Sequence, residues 1–147
     1  MTKMTWFYKD RPFTSEMIKD YQGFVYVITN LDTQKRYIGK KNFIKKRTLK
    51  ALKGKKRKRK VYSESDWKDY YGSSDAVSKI LLESGPETFE REILYLSMSK
   101  GEMSYVELYY QVVTGALLSD DYYNGIISCR INHRHIKNID VEKLKKI

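Results

Sequence analysis

The sequence predicts a small α+β domain, a mainly antiparallel sheet of three strands flanked by helices. Three observations carry this reading. An apolar, β-branched and aromatic run at 24–28, a returning segment at 35–39 and an alternating stretch at 89–96 have strand character. Helix-patterned stretches cover 40–50, 75–83 and 100–114, the last two with serine caps. The resulting order is strand, strand, helix, helix, strand, helix, within 147 residues that suit a single domain.

Residues 1–22 read as an extended or partly helical lead-in. The Arg11-Pro12 step opposes a helix running through it, and Thr14 or Ser15 can cap a short helix ending near Tyr21. Phe24-Val25-Tyr26-Val27-Ile28 is the first strand, and Asn30 and Asp32 supply turn chemistry before a returning strand over 35–39. If Thr29 and Gln34 close that turn, Tyr26 lies directly opposite Tyr37, and the two point to the same side of the sheet. Residues 40–50 follow as a helix with Phe43, Ile44 and Leu49 as its apolar contacts, and 53–60 form a self-repelling mobile loop. Ser73 or Ser74 caps the helix over 75–83, and Gly85-Pro86 stops it. In the third strand Phe89, Arg91, Ile93 and Tyr95 alternate with Glu90, Glu92, Leu94 and Leu96. Ser97 or Ser99 caps the last helix, which runs to about Thr114 before Gly115, and Tyr122 to Gly125 makes a turn. The domain is expected over 23–130, with a polar tail over 131–147.

Composition narrows the class. Hydrophobic residues make up 41%, enough for a globular core. Cys129 is alone, so no internal disulfide forms, and a reducing, cytoplasmic setting is expected. No apolar run approaches the roughly 18 residues of a membrane span, and the start of the chain lacks the pattern of a secretory signal. Between Lys35 and Lys60 stand fifteen Lys or Arg and no acid; the remaining 14 basic and 18 acidic residues leave −4 elsewhere. A field concentrated in this way attracts a polyanion and makes binding sensitive to salt.

Several residues are candidates for chemistry. Met103, Val106, Tyr110, Val113 and Leu117 form a stripe on the last helix, and Glu107 falls within it. A carboxylate there needs a partner: a basic side chain in the bland reading, a cation or catalytic duty in the sharper one. Tyr26 and Tyr37 are an ordinary cross-strand pair taken alone. Beside Gly39, Lys40, Lys41 and Arg47, however, cations are expected to favour the phenolate. Trp67, Tyr70 and Tyr71 read as core in preference to a base-stacking cluster. Cys129, His133 and His135 make a poor zinc site and read as a solvated tail.

Residues 24–47, FVYVITNLDTQKRYIGKKNFIKKR, resemble the GIY-YIG nuclease motif. Val25-Tyr26 stands at the end of the GIY element, with FVY in place of GIY, and Tyr37-Ile38-Gly39 matches the YIG element. Arg47 corresponds to an arginine on a following helix, Glu107 to a metal-binding glutamate and Asn124 to a late asparagine. Ala51 stands where some members carry a histidine. WKDYYGSS, at 67–74, resembles a segment of some phage-encoded members. The resemblance implies an endonuclease that hydrolyses DNA, double-stranded by expectation, with one Mg²⁺ or Mn²⁺ on Glu107. Arg47 would bind the phosphorane charge, and Tyr26 or Tyr37 would orient or deprotonate water. Lys40 and Lys41 would tune the phenols or hold phosphate, Gly39 would allow close approach, and Asn124 would brace the site. Backbone binding would fall to Lys41, Lys45, Lys46, Lys53, Lys55, Lys56, Arg57, Lys58, Arg59 and Lys60. It also implies a phage or mobile-element origin. A nucleic-acid-binding protein that keeps the fold without the activity, and a small RNA-binding protein, are the alternatives.

Overall fold

A computed structural model describes residues 5–147; residues 1–4 of the lead-in lie outside the described residues. The described chain is α+β, with strands β1 (Trp6–Tyr8), β2 (Arg11–Pro12), β3 (Gly23–Asn30), β4 (Arg36–Asn42), β5 (Ile44–Leu49), β6 (Arg59–Glu64) and β7 (Phe89–Ser97). Its helices are α1 (Asp75–Ser84) and α2 (Lys100–Val113). Five strands form one sheet in the order β2-β1-β7-β3-β4, and β5 and β6 form a separate ribbon. This corrects the expected three-stranded, mainly antiparallel sheet. The three anticipated strands are present, but β1 joins β7 in parallel and makes the sheet mixed. A three-residue strand carries too little periodicity to be read in advance. Burial of Trp6, whose indole N–H donates to Trp67 O at 2.7 Å, holds it in place.

The second correction concerns 40–50, expected as a helix. The edge strand β4 continues to Asn42, Phe43 turns the chain, and β5 leaves as one half of the ribbon. Phe43 is fully buried and stacks on Phe13 at 5.4 Å. The apolar residues that suggested a helical face therefore include the anchor between two strands. Of the expected loop at 53–60, the last two residues, Arg59 and Lys60, open β6.

The β3–β4 register is displaced by two residues from the expected one. Tyr26 faces Gly39 and Ile28 faces Tyr37. The turn keeps its length but closes one residue later, on Asn30 and Lys35 in place of Thr29 and Gln34: Asn30 N–H donates to Lys35 O at 2.8 Å, and the Asn30 carboxamide oxygen accepts from Asp32 and Thr33. A shift of two keeps every side chain on its expected face. Both tyrosines therefore share one side, with ring centroids 6.3 Å apart.

Each face of the sheet buries a core. Val25, Val27, Ile38 and Leu94 pack against Met103, Val106 and Tyr110 of α2. Phe24, Tyr26, Ile28 and Ile93 pack with Trp6, Phe43, Trp67 and Val77 on the other side. A bulge opposite Val25 and Tyr26 inserts Leu94 into the α2 face, which breaks the simple alternation expected of β7. Both helices start at the anticipated serines: the Ser74 hydroxyl accepts from Val77 N–H and the Ser99 hydroxyl from Glu102 N–H. The tail is not wholly solvated, because Leu144 is buried in the α2-side core and Lys145 pairs with Glu92. Among the described residues no helix is long and apolar enough to cross a membrane.

Candidate active site

The site gathers along β4, the sheet edge, where groups from both faces meet. Tyr26 projects from β3 beneath this edge and is 1% exposed. Gly39 is what lets it reach the edge. A Cβ at residue 39 would lie 2.3 Å from the Tyr26 hydroxyl oxygen and 2.6 Å from Cζ. The anticipated close approach is thus made by a buried phenol of the same sheet. Gly72, at φ +89°, closes the other side, where an added Cβ would be 3.0 Å from the Tyr37 ring and 3.2 Å from the Tyr26 hydroxyl. Tyr37 is half-buried and hydrogen-bonds Ser73 Oγ at 2.9 Å. Residues 70–73 therefore build one wall of the site, with the Tyr70 ring edge-on to Tyr26 at 6.1 Å. Sequence reasoning missed Tyr70, Gly72 and Ser73 as site residues. The YYGSS string was visible, but its contact with the tyrosine pair joins segments remote in sequence.

Arg91 fixes that wall. It lies buried between the rings of Trp6 and Tyr71, at 4.7 and 4.1 Å, and donates to Lys68 O and Tyr70 O at 2.9 and 2.8 Å. Burial lowers its pKa. The expected alternation of β7 placed this charge on the sheet without showing its partners.

Glu107 approaches from α2. Its side chain is 16% exposed, and Lys40 Nζ lies 4.0 Å from its carboxylate while donating to Ser104 Oγ at 2.6 Å. Burial raises the carboxyl pKa and Lys40 partly counters it. The carboxylate thus keeps a path to solvent with only a loose cationic partner. Among the described residues no three His, Cys, Asp or Glu gather as a metal cluster. A single, partly desolvated carboxylate that still reaches solvent suits an ion of the magnesium class, which keeps several waters and completes its shell with substrate oxygens.

The phenols titrate opposite to expectation. Burial is the largest cause raising both tyrosines, Tyr26 well above the ordinary phenol value, and Tyr70 and Glu107 push the same way. The nearby cations are engaged elsewhere. Lys40 turns toward α2, and Lys41 pairs with Asp66 at 2.7 Å beneath the Tyr70 ring. Both phenols are neutral hydrogen-bonding groups at neutral pH.

Asn124 grips the edge strand between the tyrosine and the glycine. Its Nδ2 donates to Ile38 O at 2.7 Å, and Ile38 N–H donates to its Oδ1 at 3.0 Å. Asn124→Ala strands both backbone groups, at a cost of about 1–3 kcal/mol for an unsatisfied buried group. The expected result is a lower melting temperature and slower cleavage together. Unchanged values of both would remove it as a brace. Arg47, in contrast, is not brought to this site. It is exposed on the ribbon strand β5, and neither phenol nor Glu107 has it among the charges that shift their titration. Lys45 and Lys46 lie beside it, and Lys53, Lys55, Lys56, Arg57 and Lys58 fill the ribbon's exposed loop.

The sheet edge thus presents Tyr-Ile-Gly over a second, buried tyrosine, with the largely buried Glu107 reaching toward it from α2. Residues 6–127 match the family described as "Putative endonuclease segE, GIY-YIG domain". The chain belongs to this GIY-YIG family, which makes it a nuclease domain with DNA as its substrate class. No curated protein and no solved structure matches it.

Proposed function

We propose that this chain is a divalent-metal-dependent endonuclease of phage or mobile-element origin that hydrolyses phosphodiester bonds of double-stranded DNA in a host cytoplasm. The observation that carries the reading is the convergence of Tyr26, Tyr37 and Glu107, from three separate elements, on one sheet edge beside a basic ribbon.

Glu107 would hold a single Mg²⁺ or Mn²⁺. Such an ion, when bound, neutralises charge on the scissile phosphate and its leaving oxygen. The chain's own groups do the rest. Tyr37, the more exposed phenol, orients the attacking water with Ser73. Tyr26, kept neutral by burial, donates its proton into a hydrogen bond at the edge without surrendering it. Lys40 offers an ammonium for a non-bridging phosphate oxygen. Asn124 and Gly39 keep the edge strand at the depth the Tyr26 hydroxyl requires.

Incubating supercoiled plasmid with the full chain, with Mg²⁺ or with a chelator, tests this. Nicked or linear product is expected only with the metal. Duplex binding without cleavage under any divalent cation would favour a binding protein that has kept the fold. Tighter binding to structured RNA than to duplex DNA at two salt concentrations would favour the RNA-binding alternative.

A further inference from the structure

The ribbon of β5 and β6 has no core of its own. Residues 45–48 and all of β6 are exposed. Residues 44–64 hold eleven Lys or Arg against one acid, Glu64, and that acid sits at the base, accepting from Ser15 and Trp67. A bare two-stranded hairpin is marginal in water. This one is bolted at its root instead. Phe43 and Trp67 meet there at 5.3 Å, and Ser65 N–H donates to Phe43 O at 2.7 Å. Its strand β5 follows the active edge strand with only Phe43 between, so its placement relative to Tyr37, Gly39 and Lys40 is set by a buried side chain.

The pairing sorts its side chains. Arg47 faces Val61 and Leu49 faces Arg59, which puts both arginines, with Lys45, on one face. Lys46, Thr48, Lys60 and Tyr62 occupy the other. Like charges crowd there: Lys60, within hydrogen-bonding reach, and then its charge hold Lys46 below the usual lysine range. A groove of about 340 Å³ lined by Lys40, Lys41, Lys45, Lys46 and Lys100 continues the cationic track from the site to the ribbon. A flat phosphate-binding surface needs charge on one side only. Charge on both faces of a slim, stiffly rooted ribbon suits an object with polyanionic walls on either side. Two strands stand about 4.8 Å apart. The major groove of B-DNA, about 12 Å wide, admits such a ribbon, and the minor groove, about 6 Å wide, does not.

We propose that the β5–β6 ribbon enters the major groove of duplex DNA, where Arg47 and Arg59 read guanine edges while lysines of the opposite face and the loop hold phosphates. This rests on the endonuclease reading above and gives Arg47 a role in choosing the target, away from the reacting phosphate. Arginine pairs with guanine O6 and N7 in a fork, and each such pair is worth about fivefold to a hundredfold in discrimination.

Dimethyl sulfate tests the groove directly, because it methylates guanine N7 in the major groove and adenine N3 in the minor groove. A partly methylated, random-sequence duplex pool is bound by the full chain carrying Glu107→Gln, which prevents cleavage, and bound and free fractions are compared. The expected result is depletion of N7-methylguanine from the bound fraction by about fivefold or more, with adenine N3 methylation neutral. Adding R47A and R59A, both exposed, should erase that depletion at an unchanged melting temperature while leaving salt-sensitive binding. Depletion of adenine N3 methylation alone, no depletion with binding intact, or depletion that survives both substitutions would overturn the proposal and leave the endonuclease reading standing. Failure of the wild-type chain both to bind and to cut DNA would sink the two together.

Discussion

Glu107→Gln is expected to abolish cleavage, by about a thousandfold or more, while leaving duplex binding and the fold intact. Loss of a metal-anchoring charge removes several kcal/mol of transition-state stabilisation. The amide keeps the shape of the side chain and removes only its charge. The stability consequence has a definite sign. Burial raises the carboxyl pKa above its unfolded value near 4.3. Its favourable contribution is therefore complete below that value and is lost as pH rises through the folded pKa. At neutral pH without metal, Glu107→Gln should melt no lower than wild type, and any advantage should vanish in acid. Added Mg²⁺ should raise the melting temperature of wild type alone. Cutting by the variant at the wild-type rate would remove Glu107 from the mechanism, and an equal Mg²⁺ shift in both chains would place the ion elsewhere.

Gly39→Ala should carry the second large effect. The new methyl would stand 2.3 Å from the Tyr26 hydroxyl, and that ring has nowhere to go. Trp6 packs edge-on at 5.1 Å, Tyr70 at 6.1 Å, and Gly72 closes the far side. Overpacking of this kind costs about 1–3 kcal/mol, and cleavage should fall about a hundredfold as the phenol leaves its place. Thermal melting and plasmid cleavage read the two effects separately. Combining the substitution with Tyr26→Leu should restore stability without restoring activity. A Gly39→Ala chain that melts and cuts normally would show that the edge tolerates displacement.

The parts legible in the sequence are those set by local chemistry. Ser74 and Ser99 announce their helices by capping, Gly85-Pro86 ends one of them, and the run at 24–28 is too apolar and β-branched to be other than a buried strand. The facing of Tyr26 and Tyr37 toward one side survives a register error of two, because side-chain direction repeats every two residues. What was illegible depends on contacts between distant segments. Phe43 has the same composition signal whether it lines a helix or pins a strand junction, and only its stacking on Phe13 and Trp67 decides. The titration of the phenols follows the same logic. Lys40 and Lys41 are adjacent to the motif in sequence, yet Ser104 and Asp66 claim them in space. The neighbours that govern Tyr26 come from residues 70 and 72.

The carboxamide of Asn124, with Arg36 N–H donating to Asp121 O at 2.9 Å and Tyr123 N–H to Arg36 O at 2.7 Å, also occupies hydrogen-bonding groups on the open rim of β4. At the other rim β2 is two residues long and ends in Pro12, which has no N–H to offer. Neither border of the five-stranded sheet gives a stranger's strand a long ladder to extend, so at high concentration that sheet should resist edge-to-edge pairing. Loosening the 121–124 segment would uncover one such border and create a template for fibre growth.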